Sequence, residues 1–222
     1  MERPTAGVAF RDLTIQEFGE RLASPEPVPG GGSASAIAAS LGAGLVAMVA
    51  QLSRGRPRYA AYEATLERAL AAGERLRDRL LALADQDAAA YATYAAALKL
   101  PRETEAEQAE RAAALRSAAR RAAEVPMACV EACAELAGVA ESMAGRSNRN
   151  ASSDVLVAAL LVAAGARGAA ANVLTNLPSM GDDELADRLT RRVQALLAGV
   201  DDLASRTEEI VAGGETREPQ SE

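Results

Sequence analysis

The sequence predicts an all-α fold: an antiparallel helical bundle with two central charge-free helices and long flanking helices. Three observations carry this. Alanine supplies much of the 49% hydrophobic content, while aromatics make up only 3% and tryptophan is absent. Alanine has the best helix propensity and little bulk, so such helices pack backbone close to backbone. Residues 33–52 contain no charge, and a second nearly charge-free run extends from Ala151 to about Asn176. A helix without a polar stripe is buried on most sides. Few segments carry the β-branched alternation of a strand. The expected organisation is one domain over 13–212, with flexible tails at 1–12 and 213–222.

The elements follow in order. Thr14-Ile15-Gln16-Glu17 reads as a capping box that starts a short helix running to about Leu22. Alternating prolines at 25, 27 and 29 stiffen the next stretch and deliver the chain to Pro29-Gly30-Gly31-Gly32-Ser33. Ser33 is the expected N-cap of the first charge-free helix. A glycine-rich turn at a helix N-terminus offers free N–H groups and the positive end of the dipole, a ready anion site. The competing reading is a helix start that needs flexible residues and binds nothing. Arg54-Gly55-Arg56-Pro57-Arg58 is a turn, and Pro57 suits a helix start. From Arg58 to Leu98 only Gly73 weakens a helix. Its apolar stripe, Leu66, Ala69, Gly73, Leu76, Leu80, Leu83, reaches Asp87 before continuing to Tyr91, Tyr94 and Leu98. After Leu100-Pro101-Arg102, Thr104 and Glu107 form a second capping box. That helix meets Pro126 and ends near Gly145. A polar loop, Arg146 to Asn150, leads into the second charge-free helix. The last helix follows Gly181 with a heptad-like seam, Leu189, Val193, Leu196, Val200, Leu203, Thr207, Ile210. That seam suits packing within the chain or across a dimer.

Composition excludes several function classes. A net charge of −7 argues against nucleic acid as a partner. The N-terminus has no apolar core of a secretory signal. The 33–52 run is long enough to raise a membrane span, but its Gly, Ser and Ala content makes it a weak one, and no second strong candidate is expected. Cys129 and Cys133 read as small buried residues of a reducing cytoplasm, so a cytoplasmic location is expected. With 0 histidines, Ser-His-Asp triads, His-based zinc sites and imidazole acid–base chemistry are ruled out. Catalysis then falls to carboxylates, Lys, Tyr, Cys or backbone donors. Gly42-Ala43-Gly44-Leu45-Val46-Ala47 matches a dinucleotide fingerprint in letters, but no strand precedes it.

Asp87 is the leading candidate read from the residues alone. A carboxylate on an apolar stripe is desolvated, which raises its pKa toward a range useful for proton transfer. The alternative is a structural carboxylate hydrogen-bonded to Tyr91 or a neighbouring helix. Asp154, in the first turn of its helix, is equally accounted for by dipole complementation. Asn148 and Asn150 are equally caps and loop formers. Asp154 and Asn172 lie on one face of the second charge-free helix but about 27 Å apart. They cannot touch one small group together.

Four segments in this order resemble the formiminotransferase-cyclodeaminase and methenyltetrahydrofolate cyclohydrolase family. They are Pro29-Gly30-Gly31-Gly32-Ser33, Asp87 with Tyr91 ahead of Leu100-Pro101, Ser147 to Asp154, and Asn172-Val173-Leu174-Thr175-Asn176-Leu177. The resemblance spans roughly 13–203. It implies an all-helical homodimer acting on a tetrahydrofolate derivative as substrate, with no metal and no permanently bound cofactor. It gives catalytic weight to Asp87 and Asp154. It gives substrate-binding weight to Gly30, Gly31, Gly32, Ser33, Tyr91, Arg102, Asn148, Asn150, Asn172 and Asn176. The reaction it implies is hydrolysis of a 5,10-methenyl bridge or ring closure of a 5-formimino group with loss of ammonia. The expectation from a different class is a non-catalytic helical dimer serving as a binding or assembly module.

Overall fold

The computed structural model describes residues 9–214 and 216–219. The tail positions 1–8, 215 and 220–222 lie outside the described residues. Six α-helices follow one another: α1 (Ile15–Leu22), α2 (Gly31–Ser53), α3 (Glu63–Leu98), α4 (Glu105–Met143), α5 (Ser152–Asn176) and α6 (Asp183–Gly213). Single 3-10 turns precede α1, α3, α5 and α6, and no strand occurs among the described residues. Both expected capping boxes form, at Thr14 with Glu17 and at Thr104 with Glu107. Pro126 is absorbed inside an unbroken α4.

Helices α2 to α5 make a ring in which each packs on the next and α5 returns to α2. Neighbours run antiparallel. Gly32 of α2 meets Asp87 of α3 while Ala43 meets Gly73, and Gly42 of α2 meets Ala158 of α5 while Ser35 meets Gly168. Small residues set these distances. A methyl group on Gly165 would stand 2.7 Å from the Ser35 carbonyl oxygen, and one on Gly73 would stand 2.9 Å from that of Ala43. Backbone therefore lies against backbone, as the alanine content predicts. Helix α6 lies along α4 and α5. Val193, Val200 and Thr207 of its seam are buried there, so the seam serves packing within the chain.

Several expectations change. Ser33 is not the N-cap of α2: the helix starts at Gly31 with Gly30 as cap, and the Ser33 hydroxyl turns to α3. The ring leaves α2 open on one side, where Leu41 is 57% exposed and Met48 and Leu52 are also uncovered. On α5, Leu160 is 52% exposed and Val157 and Leu174 are uncovered. Two helices, not one, are long and apolar enough to cross a membrane by length and composition: Gly31–Ser53, with mean hydropathy 1.8, and Arg149–Met180, with 1.6. About half of each lies buried inside the bundle. Parts of both expected tails are held down. The Phe10 amide donates to Asp85 Oδ1 at 2.7 Å, and the Arg217 amide donates to the Gly145 carbonyl at 3.1 Å.

Candidate active site

At one end of the ring, the start of α2, the second half of α3 and the end of α5 enclose a cleft of about 270 Å³. Gly30, Gly31, Gly32, Asp87, Tyr91, Asn172 and Asn176 all line it. Four helices' worth of sequence is needed to assemble it, because α4 supplies Ala122.

Asp87 stands at the centre. The buried leucines of α3 end with Leu83, and Asp87 emerges one turn later into the cleft, ahead of buried Ala90. Its carboxylate meets the N-terminus of α2. Ser33 Oγ donates to Asp87 Oδ2 at 3.1 Å and lies 3.1 Å from the Ala84 carbonyl oxygen. Ser33, not Tyr91, is thus the partner of this carboxylate. Gly32 is the residue it rests on: a β-carbon there would fall 2.2 Å from Oδ1 and 2.5 Å from Cγ. Position 32 must be glycine for Asp87 to occupy this place. By contrast, a β-carbon on Gly31 would meet nothing closer than Asn172 Nδ2 at 3.9 Å.

Two influences act on the carboxyl group. Burial raises its pKa, and the side-chain and backbone donors of Ser33 lower it, with burial the larger. The group is therefore held above the ordinary range of an aspartate, yet keeps donors aimed at its charged form. The anion expected at the glycine turn is the protein's own: Asp87 occupies the positive end of the α2 dipole.

Asn172 and Asn176 face Asp87 from α5. Asn172 Nδ2 donates to the Gly168 carbonyl at 2.9 Å. Asn176 Nδ2 donates to the carbonyls of Ala122 and Asn172, each at 2.9 Å. These bonds fix the carboxamides and leave their carbonyl oxygens to accept from a ligand. Tyr91, 44% exposed, and Tyr94 form an aromatic edge to the cleft. Tyr94, Val28 and Thr175 are lining residues that the sequence analysis did not select. Tyr94 was within reach of it, lying seven residues beyond Asp87 on the same stripe.

The remaining sequence candidates lie elsewhere. Arg102 sits exposed in the turn between α3 and α4 and does not line the cleft. Asn148, Asn150 and Asp154 are at the opposite end of the ring. Asn148 Oδ1 accepts from the Asn150 amide at 3.1 Å, and the Asn148 amide donates to Ser53 Oγ at 2.8 Å, so Asn148 caps the turn into α5. Asp154 lies in the first turn of α5 and lines neither this cleft nor the cavity at its own end. Within one chain the structure does not bring Asp154 to Asp87.

An all-α ring with a half-buried, glycine-seated carboxylate and two fixed carboxamides defines the class: a helical protein with one end equipped for acid–base chemistry. Comparison with known proteins makes the class specific. Residues 14–195 match the formiminotransferase-cyclodeaminase family model, and the chain belongs to that family. It is 39% identical to a methenyltetrahydrofolate cyclohydrolase of Methylorubrum extorquens, over 89% of this chain and 95% of that protein. It is 34% identical to the formimidoyltransferase-cyclodeaminase of Mus musculus, over 84% of this chain but only 34% of that longer protein. The crystal structure of formiminotetrahydrofolate cyclodeaminase from Thermotoga maritima superposes with a TM-score of 0.83 at 29% identity, covering 91% of this chain and 98% of that one.

Proposed function

We propose that the Asp87 cleft hydrolyses the methenyl bridge of a 5,10-methenyltetrahydrofolate. The observation that carries this is the seating of Asp87: a carboxylate whose pKa is raised by burial, held open to a cleft by Ser33 and Gly32. The identity to a cyclohydrolase along nearly its whole length supports the choice of reaction. The methenyl bridge is cationic, and an anionic Asp87 beside it stabilises the bound substrate electrostatically. Water then adds to the bridge carbon, forming a C–O bond, while Asp87 accepts the proton that water gives up. One of the two C–N bonds breaks as its electron pair returns to nitrogen, the proton passes from Asp87 to that nitrogen, and the added hydroxyl gives its remaining proton to solvent as the C=O bond forms. The product carries a formyl group. The carbonyl oxygens of Asn172 and Asn176 accept from ring N–H groups and set the pose. Folate is the substrate, and the proposal includes no resident metal or cofactor.

Closure of a 5-formimino group is the second reading, favoured by the likeness to the Thermotoga maritima cyclodeaminase. There the second folate nitrogen attacks the formimino carbon, and Asp87 delivers a proton to the departing ammonia. Incubating the purified protein with each folate and following methenyl absorbance separates the two. Absorbance falls with the methenyl substrate for hydrolysis and rises, with ammonia release, for closure. No change with either substrate means that the helical module is non-catalytic.

The open apolar faces of α2 and α5 belong in the proposal as the surface of a homodimer. Leu41, Met48 and Leu52 lie at intervals of seven and four, so they form one stripe beside Val157 and Leu160. A contiguous apolar patch of this kind marks an association surface.

A further inference from the structure

A second cavity is larger than the Asp87 cleft. It measures about 390 Å³ and lies at the other end of the ring, between the turn before α3, the loop into α5 and the end of α6. We propose that it is a second binding site, for a small multiply charged anion bearing phosphate or carboxylate groups on an apolar body. The site is independent of the Asp87 cleft.

The chemistry of the wall points to this ligand. Arg58 and Arg149 stand at it with the hydroxyl-bearing Ser147, Ser152, Tyr59 and Tyr62, while Val155 and Ile210 give it an apolar floor. Among the described residues no carboxylate lines it, in a chain of net charge −7. Among the described residues neither Arg58 nor Arg149 is in a salt bridge. Their forks are the residue type suited to planar carboxylate or phosphate oxygens. Arg58 is stacked against the Tyr59 ring at 5.8 Å, and the Tyr59 hydroxyl accepts from the Arg149 amide at 3.3 Å, so both arginines are tied to one aromatic residue.

Charge behind the wall adds to the effect. Arg146 is buried and donates to two backbone carbonyls, of Glu218 at 2.6 Å and of Ser142 at 3.0 Å. Arg217 pairs with Glu141 at 3.0 Å. Two guanidiniums share that corner with one paired carboxylate. Burial, then repulsion by Arg217, lowers the Arg146 pKa, against the opposing pull of Glu141.

The chain end builds one side of the cavity. Thr216 lines it, and the segment 216–219 is held by the Arg217 amide on Gly145 and by the Tyr62 hydroxyl, which donates to the Arg217 carbonyl at 2.9 Å. Nothing in the acid–base chemistry of the Asp87 cleft calls for this strap.

The test is calorimetric titration of the full-length protein, at low salt, with inorganic pyrophosphate and, separately, citrate. The expected result is saturable one-to-one binding of at least one probe. The better probe tells whether phosphate or carboxylate is the preferred group. The double variant Arg58→Gln with Arg149→Gln should weaken binding by about 10-fold or more, as loss of charge-assisted hydrogen bonds does. Both side chains are exposed, so the variant should keep its helix content, and its turnover of folate should stay at the wild-type level. Tyr62→Phe keeps every charge but releases the strap, and should also weaken the probe. Absence of binding by both probes overturns the proposal. So does binding unchanged in the double variant, or binding reduced as much by Arg191→Gln on the far surface of α6, which means diffuse charge alone. Displacement of the probe by saturating folate overturns the independence of the site.

Discussion

Replacing Gly32 with alanine puts a methyl carbon where the Asp87 carboxylate now lies. The new carbon would stand 2.2 Å from Oδ1, and ordinary contact begins near 3.4 Å, so the carboxylate must retreat by about 1.2 Å. The 3.1 Å bond from Ser33 Oγ cannot survive that displacement. A hydrogen bond to a charged group contributes about 1.5–3 kcal/mol. The helix itself does not object, since alanine is favoured over glycine by about 1 kcal/mol in a helix. The variant should therefore fold and melt within a few degrees of wild type. Turnover should fall roughly 100-fold, the loss expected for a reactive group misplaced by about 1 Å. Gly31→Ala is the control: its new carbon meets only Asn172 Nδ2, at 3.9 Å, and turnover should stay within a few-fold. Following methenyl absorbance at saturating substrate, beside a circular dichroism melt, reads both quantities. A folded Gly32→Ala protein with wild-type turnover would refute the assignment of Asp87 to the chemistry.

Asp87→Asn keeps the shape and removes the charge, so turnover should drop by about 10²–10⁴, while affinity for the formyl product, which has no cationic bridge, changes much less. The same variant tests the electrostatics. Burial raises the folded pKa of Asp87 above its unfolded value of 3.8, so ionisation destabilises the fold. That penalty is absent below pH 3.8 and grows as pH rises through the folded pKa. Asp87→Asn should melt above wild type at neutral pH, and the gap should close in acid; parallel melting curves across that range count against burial as the dominant influence. Gly165→Val drives side chain into the Ser35 carbonyl, 2.7 Å from the β-carbon, and should cost about 1–3 kcal/mol, read by urea unfolding. Leu41→Glu with Leu160→Glu should convert a dimer to a monomer by light scattering, with helix content unchanged; a monomeric wild-type protein would remove the dimer from the proposal.

The sequence carried the helices well and the site in part. Capping boxes at Thr14 and Thr104 are local, four-residue devices, and both formed as read. The interruption of the α3 stripe at Asp87 was legible because an acid in an apolar period has to be explained. Its partner was not. Tyr91 is one turn away in sequence, but the group that meets the carboxylate is Ser33, 54 residues earlier, and only the packing of α2 on α3 decides that. The role of the three glycines divides for the same reason. They are alike in sequence, yet only Gly32 lies against the acid. Asp154 and Asn172 share a helix face, and the length of α5 alone already separated them. Asn148 and Asn150 read by residue type as caps and loop formers, with binding weight only from the family resemblance, and the bonds of Asn148 to Ser53 and Asn150 make the cap.

Why a short acid suffices at position 87 follows from the small residues far from it. Gly73, 14 residues before Asp87 on α3, fixes the register of α3 on α2 by admitting the backbone of Ala43 and Ala47 to about 3 Å from where its β-carbon would be. Two heptads on, close to four helical turns, the same face of α3 presents Asp87. The axes are still close enough there for an aspartate to reach the first turn of α2. Ser35 and Gly42 seat α2 on α5 in the same manner, against Gly168 and Ala158. The tip of α2 is thereby clamped from two sides. A larger residue at 73 or 165 would spread the axes, and the Asp87 carboxylate would lose the Ser33 donors while keeping its burial. Its pKa would then climb further, because the one influence that opposes desolvation depends on that close approach. The alanine and glycine content that first marks the chain as helical is thus also what holds a two-carbon acid at the start of a helix, between the burial that raises its pKa and the donors that lower it.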